Sequence, residues 1–498
     1  MLNKKVIIVG AGPGGLAAGM LLSSKGYKVR IYEKEAIVGG RNGSITLGDY
    51  TFDMGPTFFM MKDVLEYIFT ATGRKLDDYC EVIPLEPMYR LRYNGEKDLK
   101  ASSNSDIMRE RIEQFSTGSA KGYDKYLERE CKKFNTLVPC LSIPYSSVLD
   151  FFSWQFIRSL PYLDAHCSLY DVLNRYFDDP DVITSFTFQA KYIGMSPWKA
   201  PGTFSIISYI EHGGGIYHIR GGLNKLSKGM AKAFEEEGGE IFLSSPVKEI
   251  IIKHKQAVGV LLEDGTVDQA DYIIINADFA YAMTTIVDEK NLKKYTKEKL
   301  DKKKYSCSTY MLYLGVNKKY KDLEHHNIIF ANNYKKNVEE ITNMLKLSED
   351  FSFYVQNACV TDSTLAPKGK STLYVLVPMP NNFSSIDWEK EKLRMRDTVI
   401  DAMETRGGFS SVRESIEEEL IITPADWEGE HSVYKGATFN LAHNMSQMLL
   451  LRPHNKFEEF KNCYLVGGGT HPGSGLPTIY ESGRISAELI MKNDGITL

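Results

Sequence analysis

The sequence predicts an α/β fold in which a parallel sheet is combined with a second, mixed α+β unit. The chain opens with a β-branched run at 5–9, a glycine-rich turn and an apolar helical segment at 16–24. A second short strand at 28–33 completes a β-α-β unit, which implies a parallel sheet. Near the other end, a strand at 463–466 leads into another glycine-rich turn and a terminal helix. We therefore expect the units to be interleaved along the chain.

Size and composition exclude several classes of protein. The 498 residues exceed what one core usually takes, and 43% hydrophobic with 25% charged residues is typical of a folded, soluble chain. The net charge of −4, without a basic run, argues against nucleic acid as a partner. No apolar segment is long enough to span a bilayer, and the N-terminal apolar segment is too short for a signal peptide. We therefore expect a cytoplasmic protein.

The seven cysteines predict neither disulfides nor a metal site. They are odd in number and scattered, and they show no spacing typical of metal ligands. We expect reduced thiols and no bound metal.

The middle of the chain contains two regions with regular patterns and one that is unusual. A helical pattern at 221–237 precedes strand-like segments, two of which are joined by a hairpin turn at Asp264-Gly265. The unusual region, 137–176, is rich in aromatic residues and proline. The predicted strands are 240–243, 247–253, 257–263, 272–275, 308–316, 352–360 and 372–378.

The first turn has the spacing of a dinucleotide-binding site. Gly10, Gly12 and Gly15 follow a strand and open a helix, and Glu33 ends the next strand. Glycines permit the tight turn and close approach of a pyrophosphate, while the helix N-terminus attracts the anion. The acidic residue would accept hydrogen bonds from a ribose. A turn that needs glycine for structural reasons alone is the alternative.

Two further glycine-containing elements fit the same interpretation. Gly39-Gly40-Arg41 brings the backbone close to a ligand and supplies a cation for a phosphate. The segment 52–57 predicts a rigid turn beside the cofactor. The C-terminal loop 466–477 holds many glycines between a strand and a helix, so a bound group is expected to fill the space they leave. Its prolines make it stiff, which argues against a flexible loop.

Motifs at both ends of the chain resemble those of carotenoid desaturases. The pattern at 462–476, closing at Gly483, looks like the C-terminal signature of bacterial-type phytoene desaturases, which are amine-oxidase-like flavoproteins. The N-terminal glycine turn, 39–41 and 52–57 are similar to the same family. Four segments resemble the branch of the family that desaturates diapophytoene: 192–194, 214–217, 305–308 and 365–369. Segment 480–483 looks more like the branch that acts on phytoene. Both substrates therefore stay open.

This resemblance implies a Rossmann-like FAD-binding domain, an interleaved mixed α+β substrate domain and a helical lid. The expected limits are 1–85, 213–286 and 456–498 for the FAD-binding domain, 86–136 and 287–455 for the substrate domain, and 137–212 for the lid.

The resemblance also implies the residues that hold FAD. The glycine turn and Arg41 would contact the pyrophosphate, Glu33 the ribose, and the backbone of Val247 the adenine. His471 would lie close to the isoalloxazine and is the candidate catalytic residue. The expected cofactor-binding residues are Gly10, Gly12, Gly14, Gly15, Glu33, Gly40, Arg41, Gly55, Pro56, Thr57, Val247, Gly468, Gly469, Gly475 and Leu476.

The implied reaction transfers a hydride from a hydrophobic polyene to flavin N5, with loss of a proton that His471, a carboxylate or water could accept. The polyene is dissolved in the membrane, so a peripheral membrane protein is expected. Segment 137–176 would place Phe151, Phe152, Trp154 and Phe156 in the membrane surface and Arg158 at the headgroups. A buried helical lid is the alternative. A quinone or oxygen would accept the electrons.

Other functions on the same fold stay open at this stage. Carotenoid isomerases and terminal oxidases share the motifs, and product masses would separate them from a desaturase. A flavin-free prenyl-binding escort protein would be expected to have an eroded phosphate turn, whereas this turn is intact. An amine oxidase would need an aromatic cage that the sequence does not locate.

Overall fold

The computed structural model describes residues 4–497, and its strands form five sheets within that range. The strands are β1 (Lys5–Val9), β2 (Lys28–Tyr32), β3 (Ser44–Leu47), β4 (Tyr50–Asp53), β5 (Val82–Pro84), β6 (Tyr89–Arg92), β7 (Asp98–Ala101), β8 (Tyr217–Ile219), β9 (Glu240–Phe242), β10 (Val247–Lys253), β11 (Gln256–Leu262), β12 (Val267–Gln269), β13 (Tyr272–Ile275), β14 (Ser308–Val316), β15 (His326–Ile329), β16 (Phe353–Gln356), β17 (Ser371–Met379), β18 (Ile416–Ile422) and β19 (Cys463–Leu465).

Helices cover the sheets and connect them. They are α1 (Pro13–Ser24), α2 (Lys62–Ala71), α3 (Ser105–Phe115), α4 (Ala120–Leu137), α5 (Trp154–Ser159), α6 (Leu169–Leu173), α7 (Pro180–Ser185), α8 (Ile206–Gly214), α9 (Asn224–Glu236), α10 (Phe279–Tyr281), α11 (Lys297–Asp301), α12 (Tyr334–Thr342), α13 (Trp388–Ala402), α14 (Val412–Ser415), α15 (Pro424–Gly429) and α16 (Leu476–Asn493). In the described part of the chain, none of these helices is long and apolar enough to cross a membrane.

The first sheet is parallel and has the strand order β19-β13-β1-β2-β9. Its central strand β1 is fully apolar at Val6, Ile7 and Ile8, each completely buried, because helices or other strands cover both faces. Strands from three distant parts of the chain meet in this sheet. The predicted Rossmann-like unit with a parallel sheet is confirmed, whereas the six expected domain limits stay a prediction.

The second large sheet has seven strands in the order β18-β14-β17-β16-β15-β6-β7. All neighbours are antiparallel except β15 and β6. Alternate residues of β14 point to opposite faces. Leu312 and Leu314 pack into the core under α13, and Met311 and Tyr313 face the opposite side. This mixed α+β unit confirms the predicted second unit, and its open face becomes a cavity floor.

Small residues let the first and last helices of the chain pack closely. Gly14 of α1 and Gly483 of α16 lie against each other, so a Cβ on Gly483 would clash with the Gly14 carbonyl oxygen and lie 3.0 Å from the Ala17 Cβ. A Cβ on Gly14 would likewise clash with Val466. The terminal helix is therefore locked onto the N-terminal β-α-β unit.

Segment 137–176 folds into short helical turns. The side chains of Val148, Leu149, Phe152, Trp154 and Leu160 are each more than half exposed. Phe151 and Phe156, which the sequence placed on the same surface, instead turn inwards: their rings lie 5.4 and 6.0 Å from that of Tyr145, which is buried. These two residues are therefore less exposed than Phe152 and Trp154, and their predicted place in the membrane surface stays a prediction. The exposed apolar residues 148, 149, 152, 154, 157 and 160 are called the apolar patch below.

Candidate active site

The glycine turn leaves no room for side chains. Gly10 has φ +100°, and a Cβ on Gly15 would lie 2.5 Å from the Gly10 carbonyl oxygen. Asn276, which follows β13, donates from Nδ2 to the Gly10 carbonyl at 2.8 Å and to the Gly12 carbonyl at 3.3 Å. The first turn of α1 has no acidic residue and no side-chain cap. Its free N–H groups therefore provide an anion site.

Glu33 lies at the end of β2 with only 5% of its surface exposed. Its Oε2 accepts from the Ala11 N–H at 2.7 Å and its Oε1 from the Glu35 N–H at 3.0 Å. Burial raises the pKa of this carboxyl above its ordinary value, although the two backbone donors act in the opposite direction. Each oxygen keeps a further lone pair for a ligand hydroxyl. Val247 at the start of β10 lines the same end of the cavity.

Arg41 lies between the glycine turn and the C-terminal part of the chain. A Cβ on Gly40 would be 3.6 Å from the Gly12 Cα, so the two glycine segments are close together. The Arg41 guanidinium donates to the Thr438 carbonyl at 2.8 Å and lies 3.8 Å from the carboxylate of Asp278. Burial raises the pKa of Asp278, while the charge of Arg41 lowers it. Arg41 also lines the cavity, which places a cation beside the helix N-terminus.

The turn 54–57 packs against this arginine. A Cβ on Gly55 would lie 2.6 Å from the Arg41 carbonyl oxygen, and Tyr374 on β17 donates to the Gly55 carbonyl at 2.6 Å. The Thr57 hydroxyl lies 2.8 Å from that of Tyr354 on β16. The turn therefore connects the cofactor end of the cavity to the seven-stranded sheet.

The C-terminal loop follows β19 and ends at α16. Arg452 is completely buried and donates to the carbonyls of Thr470 at 3.0 Å and Gly468 at 2.6 Å. Desolvation lowers the pKa of this guanidinium to about 9. Sequence reasoning missed Arg452 and Asn276, although an asparagine directly after a parallel strand beside the glycine turn is a signal that could have been found.

One cavity of about 1390 Å³ joins these elements. Its cofactor end is lined by most of the predicted binding residues: Gly10, Gly12, Glu33, Gly40, Arg41, Gly55, Pro56, Thr57, Val247, Gly468, Gly475 and Leu476. Gly14, Gly15 and Gly469 do not line it. A Cβ on Gly469 would lie 2.5 Å from the Cβ of Phe279, so this glycine is needed for packing inside the protein. The same holds for Gly14 against Val466 and for Gly15 against Gly10.

His471, the predicted catalytic residue, lies next to the cavity without lining it. It is 2% exposed and does not line the cavity, whereas its neighbour Pro472 does. Its ring lies 5.3 Å from that of Tyr145, behind the wall. Burial lowers its pKa to about 3, so the imidazole is neutral. This position does not favour the predicted role of His471 as the proton acceptor.

The rest of the cavity is mostly apolar. It extends over the open face of the seven-stranded sheet, and Val138, Leu141 and Met448 lie along its wall near the apolar patch. Lys191 is a polar exception that sequence reasoning also missed. The apolar and aromatic residues of this part include Phe58, Phe188, Tyr192, Ile193, Phe204, Ile207, Ile210, Met311, Ile328, Phe353, Tyr354, Tyr374, Leu376 and Trp427.

Comparison with known proteins agrees with this geometry. Residues 158–491 match the family described as flavin containing amine oxidoreductase, and residues 8–69 match the NAD(P)-binding Rossmann-like domain. A 4,4'-diapophytoene desaturase (4,4'-diapolycopene-forming) of Methylomonas sp is 52% identical over 98% of this chain and 95% of its own length. The chain belongs to the carotenoid desaturases. This desaturase is thus a flavin-dependent oxidoreductase, and its cofactor is FAD.

More distant proteins define how far the similarity of this desaturase extends. A zeta-carotene-forming phytoene desaturase of Myxococcus xanthus is 34% identical over 98% of this chain and 94% of its own length. The crystal structure of an oxidoreductase from Methanosarcina mazei superimposes with a TM-score of 0.62 at 16% identity, covering 98% of this chain and 100% of that one. This second similarity supports the fold alone.

Proposed function

We propose that the protein is an FAD-dependent desaturase that introduces conjugated double bonds into 4,4'-diapophytoene. The observation that carries the proposal is a single cavity that continues from the glycine turn to the apolar face of the seven-stranded sheet. Its volume of about 1390 Å³ exceeds that of pockets for one small ligand, which span roughly 300–1,000 Å³. The 52% identical relative named for this activity supports the choice of substrate.

The residues at one end of the cavity fit FAD. The uncapped N-terminus of α1 and Arg41 suit the pyrophosphate, and the two acceptor oxygens of Glu33 suit a ribose. Val247 would contact the adenine, and Gly468, Gly475 and Leu476 the flavin end. When bound there, FAD supplies a hydride acceptor.

The protein contributes orientation and exclusion of water. Aromatic and aliphatic side chains on the sheet and on the 188–210 segment form a mostly apolar lining that suits an extended hydrocarbon. Thr57 and Tyr354 form a hydrogen-bonded pair of hydroxyls in this lining, next to the turn that contacts Arg41. The reacting carbons would therefore lie at the junction of the two halves of the cavity.

We also propose that the protein collects its substrate from a membrane surface. The apolar patch exposes Leu149, Phe152 and Trp154 within a few residues, and Arg158 stacks over the Trp154 ring at 5.8 Å. Exposed apolar groups with a nearby cation suit insertion into the headgroup region. Val138 and Leu141 of the cavity wall immediately precede the patch, which supports direct transfer of a lipid-dissolved substrate.

The test is anaerobic mixing of liposome-bound, FAD-loaded protein with diapophytoene and, separately, with 15-cis-phytoene. We expect flavin bleaching with diapophytoene and products lighter by pairs of hydrogen atoms. Faster bleaching with phytoene would show that phytoene, and not diapophytoene, is the preferred substrate. Products of unchanged mass would indicate an isomerase, and added oxygen an oxidase. We propose that either a quinone or oxygen accepts the electrons. Re-oxidation of the bleached flavin with each of them then identifies the acceptor.

A further inference from the structure

Three buried histidines lie in a row between the cavity and the protein surface. His218, on β8, and His326, on β15, are completely buried, and His325 is 4% exposed. The ring centroids of His326 and His325 lie 4.5 Å apart, and those of His325 and His218 lie 4.7 Å apart. None of the three lines the cavity, so neither FAD nor the polyene would contact them there. They are called the histidine row below.

One end of the histidine row reaches the cavity. His326 Nδ1 lies 2.7 Å from the hydroxyl of Tyr354, which in turn lies 2.8 Å from the hydroxyl of Thr57. Both Tyr354 and Thr57 line the cavity. Phe58 stacks on His326 with 4.1 Å between ring centroids and covers one face of the imidazole, and the Tyr354 hydroxyl connects this ring to the cavity.

The other end of the histidine row reaches solvent. His218 Nε2 lies 3.0 Å from the Asp362 carboxylate, which is 3.9 Å from the Arg220 guanidinium. Arg220 pairs with Glu81, and both side chains are more than 40% exposed. A second outlet is the hydrogen bond of 2.9 Å between His325 Nδ1 and the partly exposed Thr361 hydroxyl.

Two nitrogens of the histidine row have no protein hydrogen-bond partner among the described residues: His326 Nε2 and His218 Nδ1. A buried polar atom without a hydrogen-bond partner is unfavourable, so it needs an explanation. Both nitrogens belong to the outer two members of the row. Water beside the rings would pair both nitrogens, and because no hydrogen bond among the described residues joins one imidazole directly to the next, such water is what would carry a proton along the row.

Burial keeps two members of the histidine row, His325 and His326, neutral. Burial lowers the pKa of His325 and His326 well below the ordinary value. Hydrogen bonds from His218 and Thr364 outweigh burial and hold the pKa of Asp362 below its ordinary value. Asp53 is the other carboxyl nearby, and it is reached through Gln356, whose amide nitrogen lies 3.2 Å from Asp53 and 3.4 Å from His325. Neutral imidazoles can accept a proton on one nitrogen and release one from the other.

We propose that the histidine row carries the proton released by each desaturation step from Tyr354 to Asp362 and out to solvent. The proposal rests on the proposed function. When bound, FAD would accept a hydride, with its electron pair, from one carbon, and a proton would leave the neighbouring carbon. The electron pair of that second C–H bond becomes the new double bond. The proton goes to the Tyr354 oxygen as the phenolic proton passes to His326, and the row delivers one proton to solvent.

A purely structural network would explain the same contacts differently. In that case His218→Asn and Tyr354→Phe would change stability and FAD content but not the timing of proton release. The measurement is anaerobic stopped-flow mixing of FAD-loaded protein with diapophytoene liposomes in weak buffer with a pH-indicator dye. Flavin bleaching and dye absorbance are followed together.

We expect the wild-type dye signal to keep pace with flavin bleaching. In both variants the dye signal should lag at least tenfold behind that of the wild type, since a positioned proton-transfer group contributes roughly 10²-fold or more. His212→Asn is the matched control, because His212 is equally buried but contacts Phe186 and Tyr123 outside the histidine row. Dye signals that keep pace with bleaching in both variants would overturn the proposal.

A second measurement needs no substrate. In protein labelled with ¹⁵N-histidine and loaded with FAD, the imidazole N–H protons of His218 and His326 should exchange with water much faster than that of His212. Equally slow exchange for all three would refute the relay. If wild-type flavin is not bleached by any polyene, the proposed function fails, and the exchange rates alone then decide whether the row connects to solvent.

Discussion

Replacing Lys191 by methionine is expected to stabilise the protein. Lys191 lines the apolar cavity, where its ammonium lies 4.6 Å from the Tyr334 ring centroid. Desolvation lowers the pKa of this lysine from 10.5 to about 7. The unfolded chain therefore binds a proton more readily than the folded chain between these two values. The free energy of unfolding is highest above pH 10.5, where this lysine is neutral in both states, and it falls as the pH is lowered towards 7.

The pKa difference sets the size of the effect. Each pKa unit is equivalent to about 1.4 kcal/mol, so the difference between the folded and unfolded chain lowers the free energy of unfolding by about 5 kcal/mol below pH 7. Because the side chain faces an open cavity that water can enter, we expect about half of that, ~2–3 kcal/mol. Lys191→Met removes the charge and keeps a similar volume. The variant should gain this stability at pH 6 and lose the advantage by pH 10.

The assay is the urea midpoint of unfolding of the FAD-loaded protein at pH 6, 8 and 9.5. Lys335→Met serves as the control, since Lys335 is exposed and also lies over an aromatic ring, that of Trp198 at 5.6 Å. We expect the difference between Lys191→Met and wild type to shrink as the pH rises, and the control difference to stay flat. A difference for Lys191→Met that does not change from pH 6 to 9.5 would refute the argument.

Three further outcomes are expected. Glu33→Gln replaces one acceptor oxygen by an N–H donor that faces a backbone N–H. FAD affinity, measured by equilibrium dialysis, should therefore fall about 10- to 100-fold, which corresponds to ~1.5–3 kcal/mol for a hydrogen bond to a charged group. The double change Phe152→Ser and Trp154→Ser should lower co-sedimentation with liposomes at least tenfold, because burying each side chain in lipid is worth ~1.5–3 kcal/mol. The control Val267→Ser should leave co-sedimentation unchanged, although Val267 is also exposed, on β12. Because His471 does not line the cavity, His471→Asn should change the rate of flavin bleaching by less than about threefold. A proton-transfer group would contribute ~10²-fold, so a hundredfold loss of rate with FAD retained would identify His471 as the proton acceptor.

Local patterns were sufficient for the elements that build the cofactor end. The order strand, glycine turn, helix and acidic residue depends on neighbours within one β-α-β unit, and the structure reproduces it from Lys5 to Glu33. The strands predicted around 247–275 and 308–316 also lie where their β-branched and alternating residues indicated. Those patterns depend on short-range periodicity, which the sequence displays directly.

Side-chain directions in the glycine-rich loop could not be predicted in the same way. His471 was expected at the cofactor because the C-terminal loop resembles that of carotenoid desaturases, yet its ring lies against Tyr145, which is far away in sequence. Gly469 is needed for contact with Phe279, not with a ligand. The histidine row was similarly hidden, because His218, His326 and Tyr354 come together only when β8, β15 and β16 are assembled. Contacts between distant segments leave no local pattern to detect.

The parallel sheet has a consequence for how the protein is made in the cell. Its edge strand β19 and the loop before α16 come from residues more than 400 positions after β1, yet both are needed to close the cofactor end. Until that segment has been synthesised, the nucleotide site is open and the apolar side of α1 lacks its partner helix. FAD binding therefore requires β19 and α16 to be in place against the N-terminal β-α-β unit.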